Sequence, residues 1–271
     1  MRLKDMKIKK ITRLLVLTLM LWPLLAEKTA AQSRPQPGNP EVSELVEKIC
    51  RHLASYPDFE KWQADVVSSY ISADKNWQPE RIRRVKKHLV VEGETREEKI
   101  LEAVEIEGGR TKNITEEYRQ ARLERLKKLK EEAEKARKSG QKPAAKNQLT
   151  KEDLVPFSEK KKALYDFRLV GEDVCQGTKV YVLEARARQK QENLFEGIYY
   201  ISQETLDPLK MVLHPSRFPT FVREFQVEIE LEPWQGLLML KKSRLRVYGG
   251  FLFKTVRMVI EEDYSNFRLL G

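Results

Sequence analysis

The sequence predicts a mainly β protein with some helix: one antiparallel sheet of about ten or eleven strands, two principal helices and short connections. Two observations carry this. From Lys61 onward, apolar residues recur with a period of two through most of the chain, interrupted by Gly, Pro and Asp turns. Against that background only 41–56 and 113–140 read with a helical period or helical composition.

Residues 1–31 are expected to be removed before folding. Met1 to Arg13 carries six basic residues against Asp5, Leu14 to Ala26 is almost wholly apolar, and Thr29-Ala30-Ala31 supplies the small residues a signal peptidase reads. Cleavage between Ala31 and Gln32 follows. A single N-terminal membrane anchor is the alternative, but the apolar run is shorter than the ~20 residues a span needs, and Pro23 interrupts it. The chain is therefore expected to be exported. Gln32 to Pro40 is a polar, proline-rich leader, and the folded domain is expected to run from 41 to 271.

Glu41 to Tyr56 places Val42, Leu45, Val46, Ile49, Cys50 and Leu53 on one helical stripe, and Pro57 stops it. Phe59 to Ile71 then alternates, with Trp62, Ala64, Val66, Ser68 and Tyr70 on one face. Ile82–Val91 and Lys99–Glu107 are the next strands, joined by the charged turn EGETREE. A helical insertion within about 111–148 follows. Its start, Asn113 with Glu116 three residues on, resembles a capping box, and Gly140 is a C-terminal stop. Leu126, Leu129, Ala133 and Ala136 make a thin stripe on it, and the rest is charged. Gln141 to Gln148 reads as a linker.

Beyond Leu154 the chain is strand upon strand. LYDFRLV leads through GEDVCQGT into KVYVLEARAR. The hairpin NLFEGIYYISQETLDPLKMVLHP (193–215) comes next, with Glu204 to Pro208 as its turn. Ile198 to Ile201 and Met211 to Leu213 are apolar without alternation, so both faces of this hairpin call for cover. Phe225, Val227, Ile229 and Leu231 then share a face, and LLMLKKSRLRVYGG and FLFKTVRMVIEEDY close the sheet.

Charge and chemistry narrow the function. The whole chain is +10, but residues 1–31 hold 7 basic and 2 acidic residues, and 111–146 holds 12 and 6. The rest is close to neutral, so nucleic acid is not an expected partner. The positive end of the insertion offers a second reading, transient contact with an anionic membrane surface. His52, His88 and His214 have no metal-ligand spacing, and no nucleophile-elbow, P-loop or dinucleotide fingerprint occurs. No catalytic residue, metal or cofactor is expected, and Glu261, Glu262 and Asp263 read as a charged strand end. His214 beside Pro215 reads as a loop-ordering residue. Cys50 and Cys175 form an even pair, which in an exported chain suggests a disulfide; two buried free thiols are the alternative.

The order of these elements resembles the LolA-like lipoprotein-carrier superfamily. YDFRLVGEDVCQGTKVYVLEARAR followed by LFEGIYYISQETLDPLKMVLHP is similar to that family's run of strand, glycine turn, strand, acidic turn and strand. RVYGGFLFKTVRMVIEEDYSNF resembles its closing strands. The resemblance spans roughly Glu41 to Leu270, and the charged insertion and the cysteine pair depart from it. It implies a strongly curved sheet forming an unclosed half-barrel, with helices plugging the concave side and an apolar cavity between. It also implies a non-enzymatic carrier or chaperone for the acyl chain of a lipid or lipoprotein. The alternative is a sensor or interaction module that binds an envelope protein. Trp62, Val66, Tyr70, Tyr199, Met211, Phe225, Val227 and Met239 are the expected apolar contacts with the chain.

Overall fold

The computed structural model describes residues 40–57, 61–93, 95–138, 156–191, 193–251 and 254–270. The expected signal peptide, its Ala31–Gln32 junction, all but the last residue of the leader and the 141–148 linker lie outside them. By internal packing the chain divides into two units, of which the first joins Gly38–Lys128 with Leu149–Gly271. The first holds the whole sheet.

Helix α1 (Pro40–Ala54) forms where the apolar stripe predicts it. Val42, Val46, Ile49 and Cys50 are buried, and Leu45 and Leu53 pack beside them. Proline suits the first helical position, where its missing N–H has no partner to lose. At the other end the Ser55 N–H and hydroxyl both donate to the His52 carbonyl, satisfying one of the last turn's orphan acceptors.

Eleven strands follow: β1 (Lys61–Ala73), β2 (Pro79–Glu92), β3 (Thr95–Glu107), β4 (Arg110–Asn113), β5 (Tyr165–Cys175), β6 (Thr178–Ala187), β7 (Phe195–Ser202), β8 (Pro208–Pro215), β9 (Val222–Trp234), β10 (Leu237–Phe251) and β11 (Lys254–Leu269). Helix α2 (Thr115–Lys138) lies between β4 and β5 in sequence. Its start is fixed by the Asn113 side chain, which accepts the Thr115 N–H at 2.9 Å. The Thr115 hydroxyl in turn receives the Ala103 N–H.

All eleven strands join one antiparallel sheet in the order β4-β3-β2-β1-β11-β10-β9-β8-β7-β6-β5. The order is a meander whose first strand pairs with its last, cut open between β4 and β5. The sheet is therefore not closed, as the half-barrel reading requires. Among the described residues no helix is long and apolar enough to cross a membrane.

Both helices take the same face. Residues paired across neighbouring strands point to one side of a sheet, so register can be followed from edge to edge. One such row is Leu183, Tyr199, Met211, Ile229, Ser243, Glu262, Ser68, Val85 and Ala103. Its β6–β9 end packs under α1 in the largest core, with Phe157, Tyr165, Phe195, Leu213 and Val227. Its β2–β3 end, Val85 and Ala103, packs with Ile100, Ile114 and Tyr118 under the first turns of α2.

The opposite face answers the question posed by the 193–215 hairpin. Tyr199, Ile201, Met211 and Leu213 serve the main core, while Tyr200 and Leu209 join Cys175 and Val180 in a small cluster on the other side. That cluster also corrects the disulfide. Cys50 and Cys175 are both free and buried. A bulge between Leu169 and Gly171 shifts the alternation of β5, so Tyr165 faces α1 while Cys175 faces away with Val180. The sheet itself separates the two thiols.

Candidate functional site

Between the two helices the face turns polar. In the middle of the row described above stand Ser243, Glu262 and Ser68, where β10, β11 and β1 meet. Glu262 Oε1 accepts the Ser68 hydroxyl at 2.7 Å and Lys87 Nζ at 3.0 Å, and its Oε2 accepts the Tyr264 hydroxyl at 2.9 Å. Lys87, only 4% exposed, also lies 3.7 Å from Glu98. Glu98 in turn binds Arg96 Nε at 3.1 Å and an Arg122 terminal nitrogen at 2.7 Å. Two carboxylates and three cations thus share one network, carried by β1, β2, β3, β11 and α2.

Charges so placed are costly unless each is paired and hydrogen-bonded. Burial pushes the Glu262 carboxyl up, but Lys87, Ser68 and Tyr264 outweigh it and hold it below its ordinary value. Burial and the adjacent Glu262 raise the Tyr264 hydroxyl, which accepts a hydrogen bond from Arg96. Arg122 is part of what docks α2. One turn earlier Arg119 donates to the Ile100 carbonyl at 2.8 Å. Tyr118 donates to Tyr70, with burial pushing its hydroxyl to about 12.

Beside the network lies a second apolar patch. Val66, Leu89 and Tyr264 form its floor, with Trp62, Val91, Leu240 and Phe267 half-buried around them, and among the described residues no helix residue belongs to it. Phe267 is its centre. It stacks on Tyr264 at 6.5 Å, and Trp62 and Trp234 lie 6.1 Å and 6.3 Å away. Strict alternation would put Phe267 on the opposite face from Tyr264. A bulge opposite Ala64 adds one residue to β11, and Asn266 takes a left-handed φ of 54°, which brings Phe267 round. Asparagine tolerates that conformation better than most residues. Its side chain also donates to Asp65 at 2.8 Å, and Asp65 meets His88 at 2.8 Å. Those two bonds, His88 first, hold the Asp65 carboxyl below its usual range.

The patch and the network touch. Arg96 is the cross-strand partner of Val91, Val91 of Trp62, and Trp62 of the exposed Leu269. A guanidinium therefore stands at one end of a strip of aromatic and aliphatic side chains.

The expected contact residues divide among these regions. Tyr199, Met211 and Val227 are buried in the core under α1, with Phe225 packed against it. Tyr70 packs against the α2 cluster, and Met239 is buried on β10. Only Trp62 and Val66 belong to the open patch. Two cavities among the described residues, of about 100 Å³ and 390 Å³, are bordered mainly by polar and charged residues. The first is bordered by Glu228, Glu230, Lys242, Arg244 and Glu261, and none of the expected residues borders either. Val42, Val46, Ile49 and Cys50 of α1 pack against the sheet where the resemblance assigned an apolar cavity. Its last turns are tied in place: His52 Nε2 lies 2.7 Å from Asp207, and the Tyr56 hydroxyl donates to the same oxygen at 2.6 Å.

Several residues escaped the sequence reading. Glu261 and Asp263 pair with Arg244 and Lys242 on the opposite face, in the middle of β11 rather than at the strand end expected. Glu262 does not; it is the centre of the network. The signal was available, because Glu262 sits between Ile260 and Tyr264, and Lys87 between Val85 and Leu89, each in the inward register of its strand. Phe267 gave no such signal, since its orientation depends on the bulge. His214 lies within β8 rather than in a loop: its Nδ1 lies 3.1 Å from the Pro215 carbonyl and its ring stacks on Phe218 in the segment that follows.

The sequence matches no family model and no curated protein. Three solved structures align with most of this chain at low identity. A DUF1329 family protein of Desulfovibrio piger is 12% identical, with 84% of this chain and 93% of that one covered at a TM-score of 0.39. A putative outer membrane lipoprotein-sorting protein domain of Vibrio parahaemolyticus is 13% identical, with 84% and 92% covered at 0.38. A LolA superfamily protein of Nitrosomonas europaea is 10% identical, with 85% and 94% covered at 0.33.

Proposed function

We propose that this protein is a periplasmic binder of an acyl chain, acting without chemistry as a carrier or chaperone for a lipid or lipoprotein. The observation that carries the reading is the open strip of Trp62, Val91, Phe267 and Leu269 on the helix-bearing face, floored by Val66, Leu89 and Tyr264. Each methylene buried against such a strip gains up to ~0.8 kcal/mol, so contact area contributes most of the hold on a long chain. Tyr199, Met211, Phe225 and Val227 extend the same face beneath α1, and a longer guest reaches them when that helix lifts. Ala31–Gln32 cleavage, with residues 41–271 as the mature fold, belongs to this reading. Native mass spectrometry of the protein purified from its own envelope tests it. A co-purifying acyl mass and a mature chain beginning at Gln32 are expected. A clean apo mass that takes up no added fatty chain overturns the carrier.

A second reading, an interaction module for an envelope protein, has its own observation. The edge strand β5 leaves Leu169, Val170 and Val174 exposed, the last at 63%, beside an unpaired strand edge. A stable protein partner without acyl mass favours it. The basic side chains of α2 fit transient contact with anionic membrane, for which salt-sensitive co-sedimentation with anionic vesicles is the check.

A further inference from the structure

We propose that the guest of this face carries an oxyanion head, a carboxylate or a phosphate, received by Arg96 and Arg122 while its chain lies along Trp62, Val91 and Phe267. The proposal rests on the acyl-binding reading and names the polar end of the same ligand.

The network has an uneven balance. Lys87, Arg96 and Arg122 face Glu98 and Glu262, which leaves one positive charge in excess. The excess is not shared evenly. Lys87 is enclosed and bound to Glu262. Arg96 and Arg122 remain partly open, their side chains 36% and 32% exposed, and both reach the same carboxylate. Arg96 spends its Nε on Glu98 and Arg122 a terminal nitrogen. Each planar guanidinium has five donors, and its fork matches the paired oxygens of a carboxylate or phosphate. Two such groups converging on Glu98 from β3 and α2 frame a position for a second anion.

Chain and head are contiguous in the same strip. Arg96 pairs across the strands with Val91 and donates to Tyr264, whose ring carries Phe267. An acyl chain laid on Phe267 and Trp62 therefore brings its first carbons to Arg96. It also displaces water from around the two arginines, which raises the cost of their unbalanced charge. An oxyanion head removes that cost; an uncharged head does not.

Three ligands with the same oleyl chain test this: oleate, oleoyl lysophosphatidate and oleyl alcohol, titrated calorimetrically below their micelle concentrations. Charge-assisted hydrogen bonds predict an advantage of about tenfold or more for the anions over the alcohol. The advantage is expected to disappear in Arg96→Gln/Arg122→Gln and, in the unaltered protein, to shrink as salt rises while the alcohol's affinity holds. The tighter of the two anions identifies a carboxylate or a phosphate as the source, and either supports the proposal. Equal affinities for oleate, lysophosphatidate and oleyl alcohol at low salt overturn the head assignment and leave acyl binding standing. An advantage that survives in a folded double variant overturns the role of these arginines. Failure of all three to bind overturns the acyl reading, and this proposal with it.

Discussion

At residue 197 the backbones of β7 and β8 approach so closely that a Cβ would lie 2.1 Å from the Val212 carbonyl oxygen. The φ of 153° there is also one that side chains resist. Gly197→Ala is therefore expected to destabilise the protein by about 3 kcal/mol, read from the urea midpoint. Glu262 makes a prediction of a different kind. Its folded carboxyl lies below the ordinary 4.5, so its contribution to stability is complete above that value and is lost as pH falls through the folded one. Thermal unfolding of the parent should weaken with acid over that window more steeply than that of Glu262→Gln; superimposable pH profiles would refute the assignment. At this scale the sequence was legible wherever a side chain obeyed its period. Trp62 and Val66 were read onto one shared face, and they share it because nothing interrupts β1 between them. Phe267 was not, because the added residue in β11 reverses the parity on which such readings depend.

Among the elements, α1 and α2 are helices with opposite reasons to exist. The first is short and owes its stability to a buried stripe, so Ile49→Ala should cost about 3 kcal/mol, a cavity cost at a fully enclosed site. The second is long and built of strong helix formers, and Leu123, 60% exposed, should tolerate Ala within about 0.5 kcal/mol. Chemical denaturation of both variants checks the contrast. The ion network that docks α2 gives a sharper test. Lys87→Met alone leaves Glu262 with a buried charge and no lysine, at a cost of about 3–5 kcal/mol. Lys87→Met with Glu262→Met is expected to be markedly less destabilised than the sum of the two single variants. The helices were legible from spacing and composition. β4 was passed over because four exposed residues after Gly108-Gly109 carry no apolar alternation; β3 specifies them by pairing.

For the molecule as a whole, the strand count followed from period and punctuation, whereas the strand order did not. Ten of the eleven strands announce themselves locally, but the pairing of β1 with β11 joins segments almost the whole folded chain apart. That one pairing creates the site. It brings Ser68, Lys87 and Trp62 against Glu262, Tyr264 and Phe267, so the patch and the network exist only once the two ends of the fold have met. The shift in β5 that turns Cys175 away from Cys50 has an outcome of its own. A fold that draws nothing from sulfur oxidation needs no oxidoreductase to mature, and its melting temperature should be indifferent to dithiothreitol. It should also assemble as well in a reducing cytosol as outside the cell, held in either place by packing and ion pairs alone.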